Sequence, residues 1–457
     1  MKNHVEKYLA RYAERGPWRL AIGSREGIHH AVVIPALAEY PAILETLHSL
    51  SGNAPEALRR TLVVCVVNNR VRPHSTEEEI GNNWKTMTLL EGLRRGGTVE
   101  GDDPVQQRRI DGILNSPMRL AYVDASSDGL AFPEKAGVGT ARKIGMDLSL
   151  AVMEPDMNGR NLLLSLDADT RVEPGYLESV FRHFALNRTL AAVVPFSHEK
   201  SDDEAIRGAA AAYEAYLRYH VVGLKHAGSP YAFHAIGSTI ACSARAYAMV
   251  RGMPKRLAGE DFYFLNKLAK IRGIGSVEGT TVYPSPRLSA RTPFGTGRKV
   301  DALIRDDGET HLFYDPAIFT ILRDWLGVMD GGSFTEGRDI MEAAGEIDGA
   351  LPPFLEEVGF MSVWEKLKRN FPRRENLRRQ FHNWFDGLAT LRLVHHLTDH
   401  GYPRVAMHRA INGMAERTGR PLPGPPLSAG VCPEEALEIM MDMERALGAA
   451  GREKIFP

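Results

Sequence analysis

The chain contains Leu162-Leu-Leu-Ser-Leu-Asp-Ala-Asp-Thr170, an apolar run that ends in two carboxylates one residue apart. A short apolar run of this kind is typical of a strand that is buried on both faces of a parallel sheet. In open α/β sheets, ligands bind outside the carboxyl ends of the strands. The sequence therefore predicts a buried strand that places Asp167 and Asp169 at a ligand-binding edge.

Four further apolar runs flank this stretch, with helical patterns or glycine-bearing turns between several of them. They are Ala31–Pro35, Thr61–Val67, Leu120–Asp124 and Ala191–Pro195. An alternation of apolar strands and helices indicates βα units in a mostly parallel sheet with helices on both faces. We therefore expect residues up to about 200 to form a doubly wound α/β domain of the nucleotide-binding type.

The pattern of apolar residues changes after about residue 300. Phe381, Trp384 and Leu388 recur at spacings of three and four residues, which predicts helices. The sequence thus predicts a helical lead-in, an α/β catalytic domain and a helical C-terminal region. Their expected bounds are 1–30, 31–300 and 301–457.

The charges of the chain nearly cancel, with 56 Lys and Arg against 57 Asp and Glu in 457 residues. This balance argues against nucleic acid as a bulk electrostatic partner, although a local patch can exist within a neutral total. No run approaches the roughly 18 consecutive apolar residues of a membrane span. Three scattered cysteines and an amino terminus without an apolar signal favour a reducing cytoplasm. The sequence leaves homo-oligomer formation open.

The pair Asp167 and Asp169 has the chemistry of a metal site. Mg²⁺ and Mn²⁺ prefer oxygen ligands, and they often take one or two carboxylates together with water and substrate phosphates. An isolated Asp-x-Asp could equally be a solvated turn. The position of this pair at the end of a buried strand favours the metal.

Five polar motifs follow one another in a fixed order between about residues 30 and 295. They are Val32-Val-Ile-Pro-Ala-Leu-Ala-Glu39, Val66-Val-Asn-Asn-Arg70, Gly137-Val-Gly-Thr-Ala-Arg142, the Asp167–Asp169 pair and Ala258-Gly-Glu-Asp-Phe-Tyr-Phe-Leu265. Each motif is common on its own, but the ordered set resembles the family-2 glycosyltransferases of GT-A fold. The resemblance implies a GT-A domain, a nucleoside-diphosphate-sugar donor, a hydroxyl-bearing acceptor and Mn²⁺ or Mg²⁺ as cofactor.

The resemblance also implies which residues contact the donor and the metal. The donor residues are Pro35, Glu39, Asn68, Lys135, Gly137, Arg142 and Asp167. Asp167 and Asp169 would hold the metal, and His311 is a substitute for the histidine that the family often has as a third ligand. Asn68 stands where the family usually has aspartate, so the identity of the base stays open.

The acidic pair Glu260-Asp261 is assigned to catalysis by the same resemblance. Asp261 would act as the general base that removes the proton from the acceptor hydroxyl. The alternative is a helix cap, because an N-cap aspartate stabilises a helix by about 1 kcal/mol. His234, Gly237 and Ser238 lie in or beside a small-residue segment placed where such enzymes accommodate the acceptor.

The sequence leaves several alternative activities and classes of protein to weigh. Inversion at the anomeric carbon is the expected outcome, but Leu257–Asp261 also resembles a loop of retaining GT-A enzymes that make glucosylglycerate or mannosylglycerate. A sugar-phosphate nucleotidyltransferase usually has a glycine-rich loop after its first strand, which is absent from Pro35–Glu39. A noncatalytic nucleotide-sugar-binding protein would lose carboxylates that this chain keeps. A dinucleotide-binding fingerprint would need a third glycine where Arg142 stands.

Overall fold

The computed structural model describes residues 4–155, 160–288, 296–305, 312–331 and 336–451. In this part of the chain the helices are α1 (His4–Arg11), α2 (Ile43–Ser51), α3 (Pro55–Arg60), α4 (Glu77–Arg95), α5 (Pro104–Leu114), α6 (Val138–Val152), α7 (Tyr176–Leu186), α8 (Glu204–His226), α9 (Ala244–Met249), α10 (Glu260–Arg272), α11 (Thr296–Arg305), α12 (Ala317–Gly331), α13 (Gly337–Ile347), α14 (Leu351–Glu357), α15 (Phe360–Asn370), α16 (Arg374–Trp384), α17 (Gly387–Asp399), α18 (Met407–Thr418) and α19 (Pro433–Gly451).

The strands of the same residues are short, and most of them belong to one sheet. They are β1 (Leu20–Ala21), β2 (His30–Ala36), β3 (Thr61–Asn68), β4 (Arg119–Ala125), β5 (Leu162–Ser165), β6 (Thr170–Val172), β7 (Ala191–Val193), β8 (Ile240–Ser243), β9 (Gly275–Ser276), β10 (Val282–Pro284), β11 (Leu312–Phe313) and β12 (Val405–Ala406). A 3-10 turn, Gly237–Thr239, leads into β8.

Eight strands form the main sheet in the order β1-β4-β3-β2-β5-β8-β7-β9. Strands β4, β3, β2 and β5 are parallel neighbours, and β7 is parallel to β9. Strand β1 pairs antiparallel with β4, and β8 pairs antiparallel with both β5 and β7. The predicted class, an α/β fold with a mainly parallel sheet and a helical C-terminal region, is confirmed.

The central strands are buried because their sequences are almost wholly apolar. Every residue of β3 is buried, as is every residue of β2 except the partly exposed Pro35. Valine and isoleucine dominate these two strands, and their branched side chains pack well on a pleated surface. Helix α6 packs against both strands, which fixes the position of its first turn beside the carboxyl edge of the sheet.

The polar stretch between β3 and β4 forms two helices. Thr76 and Glu79 form a reciprocal capping box at the start of α4, and Gly96 ends that helix with a φ of 66°. Asp103 caps α5 by accepting from the amides of Val105 and Gln106. These local signals satisfy backbone donors that the helix starts would otherwise leave unpaired.

Strand β8 is the main departure from the expected run of parallel strands. The expected strand at 191–195 exists as β7, but the antiparallel β8 lies between it and β5. Ile240-Ala-Cys-Ser243 is only four residues long, and periodicity does not distinguish so short a run from a loop.

The chain divides into two compact units. Among the described residues, the first unit contains 4–155, 160–199 and 235–285, and the second contains 200–234, 286–288, 296–305, 312–331 and 336–451. The main sheet belongs to the first unit. Helix α8 groups with the C-terminal helices, so the second unit takes in a segment well before the expected boundary at residue 300.

The second unit has its own apolar core. Helix α19 packs along α8, and Trp325 of α12 is fully buried among Phe360, Phe381 and Phe385. Tyr219 donates a hydrogen bond to Tyr314 O at 2.7 Å within this core. In the described part of the chain, no helix is both long enough and apolar enough to cross a membrane.

Candidate functional site

The carboxyl ends of β2 and β5 form the expected ligand edge of the sheet. The chain leaves β2 for β3 and β4 on one side and returns to β5 on the other, so the strand order reverses between β2 and β5. Ligands of open α/β sheets bind in the crevice at such a point. Pro35 lies near the end of β2, and Asp167 follows the last residue of β5 by two positions.

Arg142 on α6 joins the end of β5 to the start of α10. Its Nε donates to Ser165 Oγ at 2.9 Å, and its terminal nitrogens donate to Asp167 Oδ1 and Glu260 Oε1. The side chains of Arg142 and Glu260 are almost fully buried, whereas that of Asp167 is 36% exposed. The guanidinium thus brings two predicted motifs, far apart in sequence, to one point.

Three glycines make room for this arrangement. A Cβ on Gly237 would collide with the Arg142 guanidinium, so this predicted acceptor residue lies directly against the arginine. A Cβ on Gly139 would lie 2.9 Å from Arg256 N, and the Gly139 amide donates to Arg256 O at 3.3 Å. A Cβ on Gly137 would likewise lie 2.9 Å from Leu257 O. Gly137 and Gly139 thus allow the backbone at the start of α6 to approach the segment that precedes α10.

Helix α10 begins with the predicted acidic pair. Gly259, with a φ of 72°, is the N-cap, a left-handed conformation that favours glycine. Asp261 is therefore the second residue of the helix and not its cap. Its Oδ1 accepts from Phe262 N at 2.7 Å, and its side chain is partly exposed. Leu265 and Leu268 are buried and hold the helix in place.

The electrostatics of this cluster favour proton uptake. Burial raises the pKa of Glu260 to about 7, against the opposing attraction of Arg142. Burial also raises the pKa of Asp261, with Arg142 and the Phe262 amide acting in the opposite direction. Burial opposes the charge of Arg142, but Asp167, Glu260 and Asp261 outweigh it and raise the pKa of the guanidinium. Repulsion among three carboxyl groups around one cation favours a proton on one of them.

Asn83 on α4 connects the loops that follow β2, β3 and β4. Its Oδ1 accepts from Ala38 N at 2.8 Å, and its Nδ2 donates to Asn68 O and Asn69 Oδ1, both at 3.0 Å. Ser126 Oγ lies 3.2 Å from the same Nδ2. The Asn83 side chain is fully buried, so these bonds form away from water and fix the three loops at the carboxyl edge of the sheet.

Asn83 was not among the predicted site residues. The sequence contains one indication of its role, because Asn83 is a polar residue on the helix face that continues with Thr86, Leu90 and Leu93 on the buried side of α4. A polar side chain in such a stripe has to find partners within the fold.

Two predicted residues carry buried polar atoms that lack partners. Asn68 ends β3 and Ser238 lies in the turn before β8, and both residues are buried. Among the described residues, nothing hydrogen-bonds to Asn68 Oδ1 or to Ser238 Oγ. An unsatisfied buried polar atom costs about 1–3 kcal/mol, so both atoms are suited to accept a hydrogen bond from a ligand or a water.

The other predicted donor residues lie in loops. Glu39 lies between β2 and α2 and is partly exposed, and Lys135 lies before α6 with an exposed side chain. Within the described ranges, no hydrogen bond or ion pair joins Lys135 to another predicted site residue.

A metal ion at this edge would need ligands beyond protein side chains. In the residues that the structure describes, no three His, Cys, Asp or Glu side chains are grouped so as to hold a metal ion. Asp167 and Asp169 are both partly exposed beyond the end of β5, and two carboxylates fit a cation that also takes phosphate oxygens and water. His311, the predicted third ligand, lies outside the described residues.

His234 belongs to the helical unit. Its Nε2 is 3.0 Å from Glu444 Oε1, and Lys225 and Arg218 bind the same carboxylate at 3.1 and 2.9 Å. Burial opposes ionisation of Glu444, but the surrounding cations outweigh it and lower its pKa. The described ion pair of this predicted acceptor residue is thus with Glu444, within the helical unit.

No protein-family model matches this sequence, and no curated protein sequence matches it. Among solved structures, the chain is similar to residues 1–349 of S. aureus TarS in complex with UDP-GlcNAc. That alignment has 12% identity and a TM-score of 0.37, and it covers 77% of this chain and 90% of the other.

A second similar structure is the mannosyltransferase PcManGT from Pyrobaculum calidifontis in complex with GDP-Man and Mn²⁺. That alignment has 13% identity and a TM-score of 0.33, and it covers 83% of this chain and 92% of the other. Likenesses at these TM-scores do not establish a shared fold or activity.

Proposed function

We propose that this chain is a glycosyltransferase that moves a hexose from a nucleoside-diphosphate sugar to a hydroxyl group of an acceptor. One observation carries the proposal: Arg142 binds both Asp167 and Glu260 at the strand-order reversal of the sheet. These residues come from separate members of the ordered motif set that resembles family-2 glycosyltransferases. Their convergence at a ligand edge is what a shared active site requires.

The donor would bind across the carboxyl ends of β2, β3 and β5. Asn68 Oδ1 is suited to accept from an N–H of the base, since this buried atom lacks a partner among the described residues. Asp169 and Asp167 would hold Mn²⁺ or Mg²⁺ at the diphosphate. Such a cation, when bound, neutralises the charge that develops on the leaving diphosphate.

Glu260 and Asp261 would have different roles in the reaction with the acceptor. Asp261, partly exposed at the start of α10, would accept the proton of the acceptor hydroxyl as its oxygen bonds to the anomeric carbon and the diphosphate departs. The raised pKa of Asp261 makes this carboxylate a stronger base than an ordinary aspartate. Glu260 and Arg142 would act as positioning residues, because each is buried and bonds to the other.

The expected stereochemical outcome is inversion. A base that deprotonates the acceptor supports direct displacement, in which one bond forms as the other breaks on the opposite face. A retaining reaction remains the alternative, as in enzymes of the glucosylglycerate or mannosylglycerate type. We place the activity in the cytoplasm, where the exposed Cys432 and the buried Cys65 and Cys242 would stay reduced.

The proposal is tested by turnover and donor affinity in two matched carboxylate variants. Asp261→Asn removes the base, and we expect turnover to fall about 10²- to 10⁴-fold while the donor Kd stays unchanged. Asp128→Asn is the control, because that side chain is fully exposed in a loop. NMR assignment of the product anomer then separates inversion from retention. Equal turnover in Asp261→Asn and Asp128→Asn would remove Asp261 from the mechanism.

A further inference from the structure

The helix pair α15 and α16 carries a dense group of cations. Residues 366–379 contain seven Lys and Arg and one acidic residue, Glu375, within a chain of net charge −1. We name these seven residues the basic hairpin: Lys366, Lys368, Arg369, Arg373, Arg374, Arg378 and Arg379. Outside this segment the chain is therefore net acidic, and the positive charge is concentrated at one place.

Part of the basic hairpin holds the helices in position. Arg378 Nη2 donates to Asp330 Oδ2 at 2.8 Å, and Arg374 Nη2 donates to Gly331 O at 2.7 Å. Lys368 pairs with Glu336 at 3.0 Å. The two arginine bonds attach α16 to the end of α12, and the lysine bond attaches α15 to the residue before α13.

Three cations of the basic hairpin are exposed and have neither an ion pair nor a side-chain hydrogen bond among the described residues. They are Lys366, Arg369 and Arg373. Lys366 and Arg369 are three residues apart on the outer face of α15, and Arg373 lies in the turn before α16. The inner face of α15 is occupied by the buried Phe360 and Trp364.

Apolar side chains with exposed surface lie near the two ends of α15, the helix that carries Lys366 and Arg369. Met361 is 42% exposed on α15. In the turn between the helices, Phe371 is partly exposed and Pro372 is exposed. An apolar side chain beside a group of cations suits the interface of a membrane, where acyl chains and charged headgroups lie within a few ångströms of each other.

We propose that the basic hairpin docks on a membrane surface rich in anionic phospholipid. Groups of four to eight Lys and Arg on or beside a helix bind such surfaces through the negative potential of the headgroups. A nucleic acid or another soluble polyanion would pair with the cations but offers no apolar layer to Met361 and Phe371. The docking is peripheral and requires no membrane-spanning helix, and it does not depend on the proposed transferase activity.

The test is cosedimentation of the full chain with vesicles of phosphatidylcholine that contain about 30% phosphatidylglycerol, or none. At about 0.1 M salt we expect partitioning to be about tenfold stronger on the anionic vesicles. The variant Lys366→Glu/Arg369→Glu/Arg373→Glu should lose about tenfold or more of that partitioning. The control Arg108→Glu/Arg182→Glu/Arg188→Glu makes the same charge change at exposed positions of the first unit and should stay within about a factor of two.

A second variant separates lipid from a soluble polyanion. Met361→Ser/Phe371→Ser keeps every cation, so it should weaken vesicle partitioning severalfold while retention on heparin resin stays unchanged. The unfolding midpoint of each variant verifies that it is folded. The proposal is overturned if wild type does not partition to anionic vesicles, if the two charge-reversal variants behave alike, or if Met361→Ser/Phe371→Ser partitions as wild type does.

Discussion

Arg142 has more acidic neighbours than one guanidinium can neutralise. Asp167 and Glu260 bond to it directly, and Asp261 adds a third negative charge to the same surroundings. In a buried setting, charges of like sign are more costly than they are in water, so the cluster binds a proton more readily than separate carboxylates would. A substrate that brings cations to the cluster, or that displaces Asp167 from Arg142, would change how readily the cluster binds a proton.

The pKa of Glu260 has a consequence for stability. A folded-state pKa of about 7, compared with 4.5 for an ordinary glutamate, means that the folded protein holds this proton more tightly than the unfolded chain does. The contribution of Glu260 to the free energy of unfolding is therefore greatest below about pH 4.5 and declines as the pH rises to about 7. Glu260→Gln cannot titrate, so the difference in unfolding free energy between wild type and Glu260→Gln should shrink over this window.

Urea unfolding at a series of pH values measures that difference. Asp128→Asn serves as the control, because its exposed carboxyl should add no comparable slope. A difference between wild type and Glu260→Gln that stayed constant between about pH 4.5 and 7 would show that Glu260 ionises normally in the folded protein.

Asn83 is a second residue on which the carboxyl edge depends. Asn83→Ala would remove the donor to Asn68 O and Asn69 Oδ1 and the acceptor of the Ala38 amide, and the buried site would lose these hydrogen bonds. We expect a loss of about 2 kcal/mol or more in unfolding free energy, measured by urea titration. Thr88→Ala on the exposed side of the same helix should change it by less than about 0.5 kcal/mol. Equal effects would mean that the Asn83 bonds contribute little.

The residues of the site were predictable to different degrees. Arg142, Asp167 and Glu260 could be proposed as site residues because each belongs to an ordered set of motifs near a strand end or a helix start. Their mutual ion pairs could not be predicted, because no local pattern encodes which distant side chain meets a buried guanidinium. Asn83 was missed for a related reason, since its partners are backbone and side-chain groups of three separate loops.

Among the individual helices and strands, α1 is held in the first unit by a cluster of hydrogen-bonded, buried polar side chains. Tyr8 OH donates to Asp147 Oδ1 at 2.7 Å and accepts from Lys143 Nζ at 2.5 Å. Tyr247 on α9 donates to the same Asp147 oxygen at 2.7 Å. Lys143 is the residue after Arg142 on α6, so this cluster of polar side chains also helps to hold the helix that carries Arg142.

Removing the Tyr8 hydroxyl should loosen α1. Tyr8→Phe keeps the buried ring but leaves Asp147 and Lys143 with one partner fewer, and we expect a loss of about 1–3 kcal/mol in unfolding free energy. Tyr12→Phe on the same helical lead-in is the control, because Tyr12 is 43% exposed. Hydrogen exchange of the α1 amides should accelerate in Tyr8→Phe alone, and unchanged exchange would mean that packing of the ring suffices to anchor the helix.

The strands could be predicted from the sequence where the apolar runs were long. Strands β2 and β3 were predicted from the runs Ala31–Pro35 and Thr61–Val67, because nearly continuous apolar residues rich in valine and isoleucine are typical of a strand covered on both faces. Strand β8 was missed because four residues next to glycine and serine resemble a loop, and its antiparallel direction depends on the long excursion through α8.

At the scale of the whole molecule, two cores form from interleaved parts of the chain. Helix α8 follows β7 in sequence but belongs to the helical unit, where it packs along α19 near the C-terminus. The amphipathic pattern of α8 predicts a buried face but cannot say which core covers it. A boundary near residue 300 was the simplest expectation from composition, and the contribution of residues 200–234 to the second unit depends on contacts between distant segments.

The most direct test of the central claim is thermal unfolding of the full chain with a panel of nucleoside-diphosphate sugars, with and without Mn²⁺. We predict that one of them raises the unfolding free energy by about 2.7 kcal/mol at one hundred times its Kd in the presence of Mn²⁺. Asp169→Asn should lose most of this stabilisation, while Asp128→Asn should keep it. If no nucleoside-diphosphate sugar changed the unfolding midpoint of the wild-type chain, or if Asp169→Asn retained the full shift, the proposed donor site would be contradicted.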